Sequence, residues 1–302
     1  MPRVRSDQHN LPMKTSFSNY LTIRGLRYHV RTWGERDRPH LFLLHGWMDV
    51  SASFQFLVNE FSREWHVVAP DWRGFGLTEW AREGYWFPDY YADLEAMLNA
   101  YQPNAPVLLV GHSMGGNIAA TYAGLRPERV AKLVTLEGIG MARMISETAP
   151  KRLCDWLDAQ IEPPRFAPYE SFDALAARLK RNNPRLADDR AQFLARHWGR
   201  ETEAGNVELR SDPRHKAVNP YLFRIDEALA CWRRITAPTL LVSGKDSHIP
   251  RWLKDRPEEL AERKAAFRDL KEAELDDCGH MMHHDQPARL AQLIEAFLSA
   301  NA

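Results

Sequence analysis

Short, wholly apolar runs alternate with amphipathic stretches along the first half of the chain. Leu41-Phe42-Leu43-Leu44, Val67-Val68-Ala69, Val107-Leu108-Leu109-Val110 and Val130 to Leu136 carry almost no polar side chain. Runs of this kind suit strands of a parallel sheet that is buried on both faces. Between them the period changes. Residues 53 to 61 have helical spacing through Phe54, Leu57, Val58 and Phe61. Residues 88 to 101 and 114 to 125 read as further helices, the second stopped by Arg126-Pro127. Tyr20 to Trp33 reads as a hairpin turning at Arg24-Gly25. Residues 1 to 18 show few periodic apolar positions and read as a loose arm.

From 141 to 235 the pattern is different. Helical patches at Lys151–Ile161, Phe172–Arg181 and Asp189–Trp198 are separated by prolines at 163, 164, 184 and 213. The strand pattern returns at Thr239-Leu240-Leu241-Val242. A helix follows near 257 to 267, then a short strand near Ala273–Leu275. A closing helix has apolar positions at Leu290, Leu293, Ile294 and Phe297. The expected fold class is α/β, with a mostly parallel central sheet and helices on both faces. The core comprises 19–140 and 236–302, and 141–235 forms an inserted helical lid.

One apolar run ends in chemistry. Val107 to Val110 leads into Gly111-His112-Ser113-Met114-Gly115-Gly116 and then a helix-forming segment. A Gly-x-Ser-x-Gly string between strand and helix puts the serine on a sharp turn at a helix N-terminus, with its hydroxyl pushed outward. A serine hydroxyl becomes a nucleophile only when a base takes its proton. His280 follows the last strand in Asp277-Cys278-Gly279-His280 and is the expected base. The third group must hold the imidazole tautomer. Asp246, in Gly244-Lys245-Asp246-Ser247, lies just beyond a buried strand, where open α/β sheets collect functional groups. Glu137, in Leu136-Glu137-Gly138, ends another buried strand and is the alternative acid. Oxyanion donors are expected from the backbone N–H groups of Met114 and Trp47. His45 and the pair Asp71 and Arg73 read as local braces of their loops.

The lid is rich in aromatic residues, most of which must pack against the core. Of these, Tyr221 and Phe223 are expected in the substrate pocket, with Phe75 and Met281 extending it. Lys plus Arg and Asp plus Glu each number 40, so no net field favours nucleic acid. No apolar stretch approaches the roughly 20 residues of a membrane helix. The three cysteines, Cys154, Cys231 and Cys278, are scattered, without metal-ligand spacing, and suit a reducing compartment. A cytoplasmic monomer or homodimer is expected, with no cofactor, no metal and no membrane insertion.

His45-Gly46-Trp47, Asp71-x-Arg73-Gly74-x-Gly76, Gly111-His112-Ser113-Met114-Gly115, Gly244-x-Asp246 and Gly279-His280 follow one another in order. Together they resemble the α/β-hydrolase superfamily, over residues 20–140 and 236–300, and within it the lid-bearing serine-hydrolase-like and epoxide-hydrolase-like group. The resemblance implies Ser113 as nucleophile, Asp246 as acid, His280 as base, and the Trp47 and Met114 amides as oxyanion hole. Epoxide hydrolases and haloalkane dehalogenases place an aspartate where Ser113 stands, so those activities are not expected. Some members place the acid after the sixth strand, which keeps Glu137 as the alternative. The expected activity is serine hydrolysis of a small or medium apolar carboxylic ester or related acyl compound. Carbon–carbon bond hydrolysis or cofactor-free dioxygenation on the same triad is the second expectation, and a non-catalytic binding protein the third.

Overall fold

The computed structural model describes residues 13–248, 253 and 256–300. The elements in chain order are β1 (Ser16–Ile23), β2 (Leu26–Trp33), β3 (His40–Leu44), α1 (Gln55–Glu60), β4 (His66–Pro70), α2 (Phe87–Tyr101), β5 (Val107–His112), α3 (Met114–Leu125) and β6 (Val130–Leu136). There follow α4 (Ala149–Ile161), α5 (Phe172–Asn182), α6 (Asp188–Trp198), β7 (Gly199–Glu201), β8 (Val207–Leu209) and α7 (Ile225–Trp232). The chain closes with β9 (Thr239–Gly244), α8 (Pro257–Ala265), β10 (Leu270–Leu275), α9 (Met282–Asp285) and α10 (Pro287–Ser299).

Eight strands form one sheet in the order β1-β2-β4-β3-β5-β6-β9-β10. From β4 to β10 every neighbouring pair is parallel, and β1 and β2 join as an antiparallel edge. Leu41, Phe42, Leu43 and Leu44 are fully buried because β3 is covered on both faces. Burial of each such side chain contributes about 1.5–3 kcal/mol relative to exposure. One face of the sheet packs against α2, α3 and α7 through Leu94, Leu98, Ile118, Ala119, Leu229 and Trp232. The other packs against α1 and α10 through Leu57, Val58, Leu290, Ile294 and Phe297.

Three local expectations change. β1 begins at Ser16, inside the arm expected over 1–18, of which residues 1–12 lie outside the described residues. Polar pairs across the hairpin hold this exposed edge, Arg31 donating to Ser16 Oγ and His29 Nε2 lying 2.9 Å from Ser18 Oγ. The 141–235 block contains a small antiparallel hairpin, β7 with β8, where only helices were expected. α7, read with the lid, packs on α3 and contributes Ile225, Leu229 and Trp232 to the main core. Helices α5 and α6 and the hairpin share a separate apolar cluster of Leu175, Leu179, Leu186, Leu194 and Val207, which meets the sheet domain at Phe56 of α1. Among the described residues no helix is long and apolar enough to cross a membrane.

Candidate active site

β5 lies between β3 and β6 in the sheet, and the chemistry-bearing residues follow the carboxyl ends of β3, β5, β6, β9 and β10. Ser113, between β5 and α3, has φ +50° and ψ −112°, a conformation rare for a residue with a side chain. Two hydrogen bonds fix it. Its amide N–H donates to Leu136 O at 2.8 Å, and its carbonyl accepts from Asn117 N at 3.0 Å. The flanking glycines are required by close approach. A Cβ on Gly115 would lie 2.2 Å from Leu44 O, and one on Gly111 would lie 2.4 Å from Gly115 O. The loop after β3 presses on the same point, since a Cβ on Gly46 would fall 3.3 Å from Ser113 Cβ. That close approach brings the Gly46-Trp47 backbone beside the serine turn.

His280 follows β10, and its loop is tied at both ends. Gly279 N–H donates to Asp285 Oδ2 at 2.8 Å, and Asn183 Nδ2, just past α5, donates to Asp285 Oδ1 at 2.7 Å. The partner of His280 Nδ1 is Glu137 Oε2, at 2.6 Å. Glu137 sits immediately after β6 with φ +57°, and its side chain is nearly fully buried. Its carboxylate also accepts from Gly244 N at 2.9 Å and Ser247 Oγ at 2.7 Å. Three donors therefore aim both oxygens, and a buried, fully partnered carboxylate of this kind is rigid.

Asp246, expected to orient His280, is placed elsewhere. It pairs with Arg185 at 2.7 Å, with both side chains about two-fifths exposed. The turn after β9 explains the difference. Asp246 N–H donates to Cys278 O and Ser247 N–H to Gly244 O, so Ser247 rather than Asp246 comes to face Glu137. Ser247 carries no sequence signal of its own.

The other expected site residues divide. Met114 opens α3 directly after the serine turn, at the edge of burial. The Trp47 ring is 51% exposed. Met281 is half-buried just before α9, and its carbonyl accepts from His284 N at 2.8 Å. Phe75 is not at a pocket surface. It is fully buried, edge-on to His45 and stacked on His215 at 3.8 Å. Tyr221 is 74% exposed and meets Trp86 edge-on. Phe223 packs against the core cluster, with its N–H on Met144 Sδ. Asp71 and Arg73 do not pair with each other. Asp71 meets His29 at 2.7 Å and accepts from Ser51 and Leu77 amides, while Arg73 forks onto Asp93. His45 braces its loop as expected, Nδ1 donating to Gly46 O and Nε2 accepting from Trp72 N.

His215 is clamped between Phe75 and Tyr85, whose ring lies at 3.6 Å, and its Nε2–H donates to Arg73 O. Burial pushes this imidazole down to about 3. The neutral ring is the folded form, so its stabilisation is complete above the unfolded value near 6.5. It is lost as pH falls from there toward the folded value, at about 1.4 kcal/mol per pH unit. In His215→Phe, which keeps the stack, denaturant unfolding measured from about pH 6 to about pH 4 shows a stability slope shallower by one proton. An unchanged slope contradicts a neutral His215.

His112, inside the serine turn, was not singled out from the sequence. It is buried, and its Nε2 lies 2.9 Å from His280 O. Burial, reinforced by neighbouring His280, holds it well below the usual histidine range. The neutral ring therefore donates from Nε2 to that carbonyl, fastening the His280 loop to the strand that bears the serine.

The comparisons agree with this architecture. A family model described as alpha/beta hydrolase fold matches residues 39–287. The serine hydrolase-like protein of Danio rerio is 30% identical over 281 residues, covering 89% of this chain and 84% of that protein. A bifunctional esterase/perhydrolase of Acinetobacter calcoaceticus is 26% identical, covering 82% and 86% of the two chains. Among solved structures, a thioesterase domain from the curacin biosynthetic pathway superposes with a TM-score of 0.83 at 25% identity, covering 93% of this chain and 99% of that one. The chain belongs to the alpha/beta hydrolase fold family and is a hydrolase with serine hydrolase-like and esterase relatives.

Proposed function

We propose that the protein hydrolyses a small or medium apolar carboxylic ester, or a related acyl compound, through a Ser113–His280–Glu137 triad. The observation that carries this reading is the 2.6 Å contact between His280 Nδ1 and a buried, three-way partnered Glu137, in a fold where Ser113 stands on a strained strand-to-helix turn. The relative named as an esterase supports the reaction class.

With Nδ1–H donating to Glu137, the lone pair of His280 is on Nε2. Nε2 takes the proton as Ser113 Oγ attacks the substrate carbonyl, and the growing imidazolium is stabilised by the carboxylate. The oxyanion is received by the Met114 N–H and, across the Gly46 approach, by the Trp47 N–H. Charge there is further favoured by the N-terminus of α3. His280 then gives the proton to the leaving alcohol. Water, deprotonated by the same nitrogen, releases the acyl group and restores Ser113. The exposed Trp47 ring offers an apolar wall beside the nucleophile, and Met281 adds an adaptable one next to the base. The block of α4 to α6 serves as the lid, anchored to the base-bearing loop through Asn183 and Asp285.

A fluorophosphonate probe is expected to label the folded protein at a single serine, and p-nitrophenyl esters of short to medium chain to be turned over. Labelling confined to Ser113, read by peptide mass spectrometry, supports the proposal. Folded protein that takes no label and turns over no ester overturns it.

A further inference from the structure

Beneath the triad lies a buried cluster that the reaction does not use. Asp49 stands in the loop after β3, His112 at the end of β5, and His283 in α9. All three are at least 98% buried. One ligand-type atom from each lies within 4.8 Å of the others. Asp49 Oδ1 is used, accepting from Val50 N and Ser53 Oγ. Among the described residues, Asp49 Oδ2, His112 Nδ1 and both ring nitrogens of His283 have no hydrogen-bond partner. His283 Nε2 and Asp49 Oδ2 are 3.5 Å apart, a long contact.

The hydrogen bonds fix what these atoms carry. His112 Nε2 faces a carbonyl oxygen, which can only accept, so the proton of this neutral ring is on Nε2 and Nδ1 presents a bare lone pair. Asp49 Oδ2 presents another. Two acceptors thus face each other with at most the proton of His283 between them, in a region shut off from water. Leaving such atoms unpaired forfeits their hydration with nothing in exchange. A cation that accepts lone pairs satisfies all three groups together.

We infer that Asp49, His112 and His283 form a binding site for one divalent transition-metal ion, of the zinc or cobalt class. Two imidazole nitrogens and one carboxylate oxygen are the donor set such ions favour over calcium or magnesium. Tetrahedral bonds of about 2.0–2.1 Å draw the three atoms to about 3.4 Å from one another, a small closure of side chains already facing inward. The second carboxylate oxygen, held by Val50 and Ser53, and the His112 Nε2–H on His280 O act as the outer hydrogen bonds that orient ligands. The ion ties the oxyanion loop, the serine turn and the base-bearing segment to one point below the substrate. Metal binding here is read spectroscopically and thermodynamically, independently of ester turnover.

The test is titration of chelator-treated protein with Co2+, followed by visible absorption and calorimetry. One Co2+ per chain is expected, with the intense visible bands of an ion of low coordination number, and Zn2+ is expected to displace it. The unfolding temperature rises with bound ion. Asp49→Asn and His283→Gln, shown to be folded by circular dichroism, are each expected to lose at least about 100-fold in affinity. Wild-type protein with no saturable binding overturns the inference and leaves the proton of His283 to bridge the acceptors. Affinity unchanged in both variants overturns it equally, as binding at surface histidines. Should the variants fail to fold, X-ray absorption of the wild-type cobalt complex decides. Two imidazoles and a carboxylate support the site, and a shell of water oxygens overturns it.

Discussion

Ser113→Ala is expected to lower kcat for ester hydrolysis by about 10^6-fold, the scale on which loss of the nucleophile acts in triads of this kind. Alanine is as tolerable as serine at φ +50°, because both carry a Cβ, so the turn and the amides of Met114 and Trp47 remain. Activity then falls to what binding and the oxyanion donors supply without a nucleophile. The unfolding temperature is expected to stay within a few degrees of wild type, which separates lost chemistry from lost fold. Steady-state kinetics with a p-nitrophenyl ester measures the first and calorimetry the second. Retention of more than about a hundredth of the wild-type kcat by a pure preparation removes Ser113 from the reaction.

Glu137→Gln carries the second largest effect, about 10^4-fold in kcat, or about 5.5 kcal/mol of transition-state stabilisation. Glutamine is nearly isosteric and its carbonyl oxygen can still accept from Gly244 N or Ser247 Oγ. Its amide nitrogen, however, is a donor. Placed against His280 Nδ1, it favours the tautomer with the proton on Nε2, the nitrogen that must be free to take the serine proton. The loss falls on kcat with little change in KM. Asp246→Asn removes only an exposed pair with Arg185, of the sort worth at most about 1 kcal/mol, and is expected to leave kcat within about threefold. Kinetics of the two variants side by side check the assignment. If Asp246→Asn abolishes turnover and Glu137→Gln does not, the acid has been assigned to the wrong strand.

The choice between these carboxylates shows where sequence reading ends. Both follow buried strands, β6 and β9, which are neighbours in the sheet. Both therefore stand at the same edge, and no local pattern separates them. The separation comes from a hydrogen bond of Glu137 N to Val242 O and from the turn that sends Ser247 inward and Asp246 outward. Phe75 fails for a similar reason. It is expected to extend the substrate pocket, but Asp212, 137 residues on, donates its amide to Gly74 O, and His215 covers the ring. The pairing of Asp71 with His29 and of Arg73 with Asp93 likewise depends on strands and helices brought from elsewhere in the chain.

Local order, by contrast, was written into neighbouring residues. Runs such as Leu41 to Leu44 can be stable only where both faces are covered, so they announce a parallel sheet before any contact is known. The strand, the two glycines and the helix around Ser113 announce a sharp turn within about ten consecutive residues, and the bond to Leu136 O and the approach of Leu44 then hold it; His280 stands after the last strand of the sheet, as expected. Which carboxylate meets His280, the burial of Phe75, the hairpin inside the helical block and the meeting of Asp49, His112 and His283 depend on the folded chain. Asp49 and His283 are separated by most of the chain's length, and nothing periodic links them. Long-range encounters are fixed by sheet order and packing, which sum over many weak contacts, whereas a strand or a strained turn is fixed by the residues that compose it.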